Sequence, residues 1–226
     1  MKKTSTIFTA VLMTAMILTS CGGGGSKNEY HCDTLKVYEK EVNLFDEVTI
    51  GKQVWMTQNL DVDKFLNGDA IPEAKTNGEW SAYRQAGEAA WCYYNNDPKP
   101  GEKYGKLYNW YAVIDPRGLA PKGWHIPTDT EWTVLTDYLG GAERAGAKMK
   151  LKEGTGTNSS GFSGLLGGIR TFDGNFRQID RLGMWWSSTT GKTYLAWIRY
   201  ITDDKGNVKR DIWDESVGFS VRCIKD

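Results

Sequence analysis

The fold is decided by the stretch over residues 184–214, which reads MWWSSTTGKTYLAWIRYITDDKGNVKRDIWD. Residues 194–202 are rich in aromatic and β-branched residues and predict a strand, in which successive side chains point to opposite faces so that one set packs inward and the other can be exposed. Residues 208–213 form another short β segment, and Asp204 to Asn207 between the two has the composition of a tight turn. The stretch therefore predicts an antiparallel hairpin, with a further strand before it at residues 184–189.

The segments outside this stretch predict further short β segments and also helices. Short β segments are predicted at residues 162–171, 176–179 and 219–224, and a hairpin at residues 47–56. Helices are predicted at residues 76–86, from Thr128 to the glycine pair at 140–141, and more weakly at residues 142–151. An α-rich half followed by a β-rich half predicts an α+β fold.

The N-terminus has the pattern of an export signal. Lys2 and Lys3 precede an apolar run at residues 7–18 that is too short to span a bilayer as a mature helix. The following Leu18-Thr-Ser-Cys21 resembles the lipobox of bacterial lipoproteins, in which the cysteine thiol is acylated. We therefore expect a signal peptide over 1–20, a lipidated Cys21 with a flexible tether over 21–41, and a globular domain over 42–226.

The expected location follows from this signal. Because position 22 is Gly rather than Asp, sorting patterns of lipoproteins imply the outer membrane of the cell envelope. Loss of Lys2 and Lys3 lowers the 28 basic residues to 26, against 28 acidic ones. A nearly neutral domain gives no electrostatic reason to expect nucleic acid as a partner. The membrane, reached through the lipid anchor, is the expected partner at this end of the chain.

Cysteines in an exported protein tend to form disulfides. With Cys21 assigned to lipid, Cys32, Cys92 and Cys223 remain, so one thiol is left over. Cys32 lies in the expected tether, whereas Cys92 and Cys223 lie in apolar segments that have the pattern of buried strands. We therefore predict a disulfide between Cys92 and Cys223.

Aromatic residues give the strongest indication of a binding surface, because the chain has ten Trp and eleven Tyr. Rings that are partly exposed beside charged side chains suit recognition of sugar faces or protein epitopes. The alternative is that most of the rings are core, above all Trp185 and Trp186. The candidate ligand-binding residues are Tyr194, Trp197, Arg199, Tyr200, Arg210, Trp213 and Asp214.

Catalytic and metal sites are less well supported by the sequence. His125 is a possible general base, but its place before a helix cap favours a structural ring that is bonded to the backbone. Asp203, Asp204 and Asn207 could bind calcium, although a hairpin turn explains them better. In a hydrolase, Asp211, Asp214 and Glu215 could act as acid and base. Acidic residues near a strand end are, however, usually solvated. We assign no catalytic residue and no cofactor, and leave calcium open.

An ordered set of motifs identifies a family. The motifs are GKQVWMTQNL at 51–60, YNWYA at 108–112, GWHIPT at 123–128, GFS at 161–163, GGIR at 167–170, WWSST at 185–189 and GFSVRC at 218–223. Together they resemble the Fibrobacter succinogenes major paralogous domain, common in lipoproteins of Bacteroidetes, over about residues 42–226. Many members have Cys-Pro before the GWHIPT motif, where this chain has Ala120-Pro121.

The resemblance implies a variant of the C-type-lectin fold, in which two helices flank twisted antiparallel sheets and the chain ends lie close together. Formylglycine-generating enzymes share that fold, but their chemistry depends on a copper-binding cysteine pair. This chain has only Cys223 in the corresponding half. We therefore expect a non-enzymatic envelope module for recognition or adhesion, with a glycan or protein ligand. The alternatives are a lectin-fold enzyme, oxidase-like or hydrolytic, and a purely structural envelope protein.

Overall fold

The computed structural model describes residues 45–152 and 154–226 of the chain. The helices are α1 Asn77–Ala86, α2 Pro98–Tyr104, α3 Trp110–Val113, α4 Asp129–Tyr138 and α5 Ala142–Met149. The strands are β1 Glu47–Ile50, β2 Gln53–Met56, β3 Trp91–Cys92, β4 Leu107–Tyr108, β5 Trp124–His125, β6 Gly167–Arg170, β7 Phe176–Ile179, β8 Leu182–Lys192, β9 Leu195–Thr202, β10 Lys209–Asp214 and β11 Ile224–Lys225. Within these ranges no helix has the length and apolar character that a membrane crossing requires. Cys21, Cys32 and the expected signal and tether lie outside the described residues.

The strands form several small antiparallel sheets. One sheet has the order β1-β2-β11-β5, another has the order β10-β9-β8, and β3-β4 and β6-β7 form two-stranded sheets. Strands that are far apart in sequence thus meet in the first sheet, where Ile224 of β11 pairs with Trp55 of β2 and with His125 of β5. The α+β class predicted from the sequence is confirmed.

Two helix starts follow the capping signals in the sequence. The Thr76 hydroxyl accepts a hydrogen bond from the backbone N–H of Glu79, and the Glu79 carboxylate accepts one from the backbone N–H of Thr76. Thr128 and Glu131 form the same capping box at the start of α4. Each box satisfies backbone donors that the first turn of a helix leaves without partners. The structure adds α2, for which no helix was predicted from the sequence.

The two tryptophans of the WWSST motif belong to the core, as the alternative interpretation held. Trp185 and Trp186 are both fully buried and point to opposite faces of β8. Trp185 joins Trp55, Trp132 and Phe162, and its ring centroid lies 5.6 Å from that of Phe162. Trp186 packs in the other large cluster, 4.5 Å from the ring of Phe219. The three-stranded sheet therefore has an apolar cluster against each face.

The GFSVRC motif supplies a buried arginine. The guanidinium of Arg222 donates hydrogen bonds to the carbonyl oxygens of Met56 at 2.8 Å and Phe162 at 2.6 Å, and to the amide oxygen of Asn59 at 2.8 Å. Burial lowers the pKa of Arg222 to about 9. One side chain thus ties together three of the family motifs, and its role is structural.

The disulfide predicted between Cys92 and Cys223 is not present in the structure, where both thiols are free and buried. Cys92 packs beside Trp80 and Leu107, whereas Cys223 belongs to the larger cluster that contains Trp186. The prediction rested on burial and on the number of cysteines, and neither fixes the short Cα separation that a disulfide needs. Burial instead raises the pKa of each thiol to about 12.

Candidate functional site

The three-stranded sheet divides the candidate ligand-binding residues between its two faces. In β9, Trp197 and Arg199 alternate with Ile198 and Tyr200, so the two pairs point in opposite directions. The register with β10 places Arg210 opposite Arg199. Trp197, Arg199 and Arg210 therefore share the face that packs on α4, which we call the helix face.

Arg199 is a structural residue of the helix face and not an exposed ligand group. Its side chain is 2% exposed, and it donates to the carboxylate of Asp129 at 2.6 Å and to Thr133 Oγ1 at 2.9 Å. Arg210 binds the same carboxylate at 2.9 Å, and its guanidinium lies 3.3 Å from the ring centroid of Trp197. Arg199 was a candidate for an exposed surface, but the structure buries it under α4, because the strand pattern does not reveal which face a helix covers.

Burial disfavours the charged forms of both Asp129 and Arg199, so it shifts their pKa values in opposite directions. It raises the pKa of Asp129, but hydrogen bonds from Arg210 and Arg199 outweigh it, so the pKa of Asp129 lies below its ordinary value. Burial also lowers the pKa of Arg199, and Asp129 only partly offsets this effect. One carboxylate therefore holds two guanidinium groups. The cluster fixes β9 and β10 to the start of α4.

The opposite face of the sheet carries an open groove, and we call this face the groove face. The groove has a volume of about 580 Å³ and lies between β6, the turn that follows β7, and the strands β8 to β10. Its apolar lining residues are Ile169, Leu182 and Trp213. Its polar lining residues are Thr171, Arg177, Gln178, Arg181, Thr202, Asp203 and Asp204.

Trp213 is the candidate residue that the structure places in this groove. Its indole is half-buried and packs edge-on against Phe219, with ring centroids 5.7 Å apart. Tyr200 lies on the same face, two residues from Thr202, and Lys209 lies 5.6 Å from its ring centroid. An aromatic ring held firmly on one side and open on the other suits a ligand with an apolar face.

The polar residues of the groove include charges of both signs. Arg181 approaches Asp203 to 3.7 Å, and Arg177 and Gln178 come from the neighbouring β7. Gln178 has a φ of 67°, a left-handed conformation that is unusual for a residue with a side chain. Such strain persists only where the surroundings enforce it, and it is concentrated at functional sites. Arg177, Gln178 and Arg181 were not predicted from the sequence, because the turn at residues 173–175 indicates a hairpin but not where that hairpin packs.

Tyr194 and Asp214 lie apart from the groove. Tyr194 is 74% exposed, with a φ of 60° in the turn between β8 and β9. Asp214, at the end of β10, accepts a hydrogen bond of 2.9 Å from the N–H of Ser216 and lies 4.0 Å from Arg84. The seven candidate residues thus form no single surface.

The structure also shows the surroundings of the residues considered for catalysis and calcium binding. His125 bonds carboxylates rather than backbone: its ring nitrogens lie 2.9 Å from Glu131 and 2.8 Å from Asp226. Asp203 and Asp204 line the groove. In the part of the chain that the structure describes, no three His, Cys, Asp or Glu side chains are grouped so that they could hold a metal ion.

Comparison with known proteins gives a family and no individual relative. The sequence profile of the Fibrobacter succinogenes major domain matches residues 48–225. No curated protein and no solved structure gave a match. The matched range contains every residue of the groove and of the cluster around Asp129.

Proposed function

The chain belongs to the Fibrobacter succinogenes major domain family, and we propose that its domain is a non-enzymatic recognition module that binds a glycan in the groove. The observation that carries the proposal is the half-exposed indole of Trp213 among hydrogen-bonding side chains. A sugar ring has an apolar face of C–H groups and a rim of hydroxyl groups. The apolar face packs on an aromatic ring, and the hydroxyl groups form hydrogen bonds with guanidinium, amide and carboxylate groups.

The charges of the groove favour a neutral ligand. Arg177 and Arg181 are balanced by Asp203 and Asp204, and Arg181 and Asp203 already approach one another. A strongly charged peptide or polyanion would meet as much repulsion as attraction there. Hydroxyl groups, which both donate and accept hydrogen bonds, match such a mixed rim. This balance supports a glycan over a charged protein segment as the ligand.

A glycan array tests the proposal with the full chain made lipid-free by Cys21→Ser. Trp213→Ala should weaken binding at least tenfold, and Arg177→Ala should weaken it without affecting folding because Arg177 is exposed. Trp197→Ala is the matched control, since its ring lies on the helix face. Unchanged binding by Trp213→Ala and Arg177→Ala would exclude the groove, as would an equal loss in Trp197→Ala.

We further propose that the domain is displayed on the cell envelope through lipid on Cys21, with the outer membrane as its location. Two or more acyl chains, at about 0.8 kcal/mol for each buried methylene, give stable anchoring. Labelled fatty acid should enter the wild-type chain and not Cys21→Ser, and only the wild type should fractionate with membranes. Incorporation in both forms, or in neither, would contradict this part of the proposal.

For the fold, we propose the variant of the C-type-lectin fold that the resemblance implies. Strands β1 and β11 lie in one sheet, and Lys225 bonds Glu47 at 2.8 Å. This accords with the close chain ends of that fold. An experimental structure whose helices and sheets are arranged differently would refute it.

A further inference from the structure

A buried lysine lies at the C-terminal end of α5 and binds a ring of oxygen atoms. Lys150 is 2% exposed. Its Nζ donates to the carbonyl oxygens of Asp203 and Lys205, both at 3.0 Å, and to that of Thr202. Thr155 Oγ1 lies 2.5 Å from the same nitrogen. Four oxygen atoms, three of them from one turn of backbone, thus surround a single positive charge.

The ring matches the chemistry of an ammonium group. An ammonium has three N–H donors and no acceptor, and three backbone carbonyls face it. Thr155 completes the arrangement, because its hydroxyl lies 3.2 Å from the carbonyl oxygen of Asp203 and 3.3 Å from that of Lys205. Converging carbonyl and hydroxyl oxygens are also the ligands that hard metal cations prefer. The turn over 202–205 therefore has the form of a cation site.

The same turn contributes to the groove. The carbonyls of Thr202 and Asp203 bind Lys150, while the residues Thr202, Asp203 and Asp204 line the groove. A backbone that bends its carbonyls inward would be destabilised by their mutual repulsion without a positive charge between them. Lys150 supplies that charge from 52 to 55 residues away in sequence. It therefore connects α5 with the acidic residues of the groove.

We propose that Lys150 is the built-in cation of an oxygen cage formed by Thr155 and the turn over 202–205. The cage keeps Asp203 and Asp204 in position for the groove without calcium. The cage itself does not depend on the proposed glycan function, whereas its effect on ligand binding does. The tests below therefore measure stability and proton exchange, so that the two proposals can fail separately.

The first test removes the ammonium and returns it as a small molecule. Lys150→Ala in the full chain should lower the melting temperature by at least about 5 °C, because buried carbonyls lose charge-assisted hydrogen bonds. Propylammonium, which has the size of the deleted atoms, should restore part of the loss. Propanol, of similar size and without charge, should not. Lys148→Ala is the matched control, since the Lys148 ammonium bonds the single carbonyl of Leu139.

A second measurement needs no variant. In the ¹⁵N-labelled wild type, the Nζ protons of Lys150 should exchange slowly enough with water to give a resolved signal, unlike those of exposed lysines. Calcium chloride or a chelator should leave the wild-type melting temperature unchanged. Three results would overturn the proposal: fast exchange at Lys150, equal rescue of Lys150→Ala by propanol, or stabilisation of the wild type by calcium that Lys150→Ala lacks.

Discussion

Replacement of Asp129 by alanine tests whether the helix face is a structural cluster. The change removes the carboxylate that binds Arg199 at 2.6 Å and leaves that guanidinium almost fully buried. Loss of one partner from a buried ion pair costs about 3 to 5 kcal/mol. Because Arg199 keeps its hydrogen bond to Thr133, we expect the lower end, about 3 kcal/mol. This corresponds to a fall of roughly 6 to 12 °C in melting temperature.

Urea unfolding of Asp129→Ala and Arg210→Ala separates the buried pair from the exposed one. Arg210 binds the same carboxylate, but its side chain is largely exposed, so its loss should cost less than about 1 kcal/mol. The urea midpoint should shift without a change in slope. Since the pKa of Asp129 is lowered, its contribution is present above its ordinary value of 3.8 and is lost as pH falls through the folded value. A loss below 1 kcal/mol for Asp129→Ala at neutral pH would refute the reasoning.

Three further predictions concern other parts of the domain. Burial lowers the pKa of His125, but hydrogen bonds with Glu131 and Asp226 raise it overall, so the stability difference between wild type and His125→Gln should be largest below pH 6.5 and shrink at higher pH. A pH-independent difference in chemical denaturation would contradict this. Cys92 and Cys223 should react with a thiol reagent only after unfolding, as peptide mapping can show, and rapid labelling in the native state would disprove their burial. Gly146→Ala should destabilise the domain by about 1 to 3 kcal/mol although alanine favours helices, because the added Cβ would lie 2.3 Å from the carbonyl oxygen of Asn207. Gly78→Ala, which meets only Thr76 at 3.9 Å, is the control and should be neutral or stabilising in the same thermal unfolding assay.

Local signals in the sequence predicted the local structure well. The spacing of Thr128 and Glu131 located the start of α4, and the run of aromatic and β-branched residues over 194–202 located β9. These features depend on neighbours a few residues apart, which a single sequence displays. The strand predicted at residues 219–224 shortens to β11 because most of that segment makes isolated bridges and loop contacts instead of a regular ladder.

The site depends on contacts that the sequence does not display. Alternation showed that Trp197 and Tyr200 point to opposite faces, but not that α4 covers the face of Trp197. Arg199 and Asp129 are 70 residues apart, and nothing in their local sequence links them. The groove also needs the β6–β7 hairpin to pack beside β8, a tertiary arrangement that turn composition cannot specify. Among its lining residues, only Trp213 was predicted to bind the ligand, and Asp203 and Asp204 were considered only as calcium ligands.

The first and last strands of the domain, β1 and β11, lie in one sheet and are linked by the ion pair of Glu47 with Lys225. A protein with neighbouring ends can be spliced into a surface loop of another host, or given new ends elsewhere, with little rearrangement of its interior. In this domain the ends lie in the sheet of β1 and β11, whereas the groove is built by β6 to β10, so a new junction would leave the strands of the groove intact.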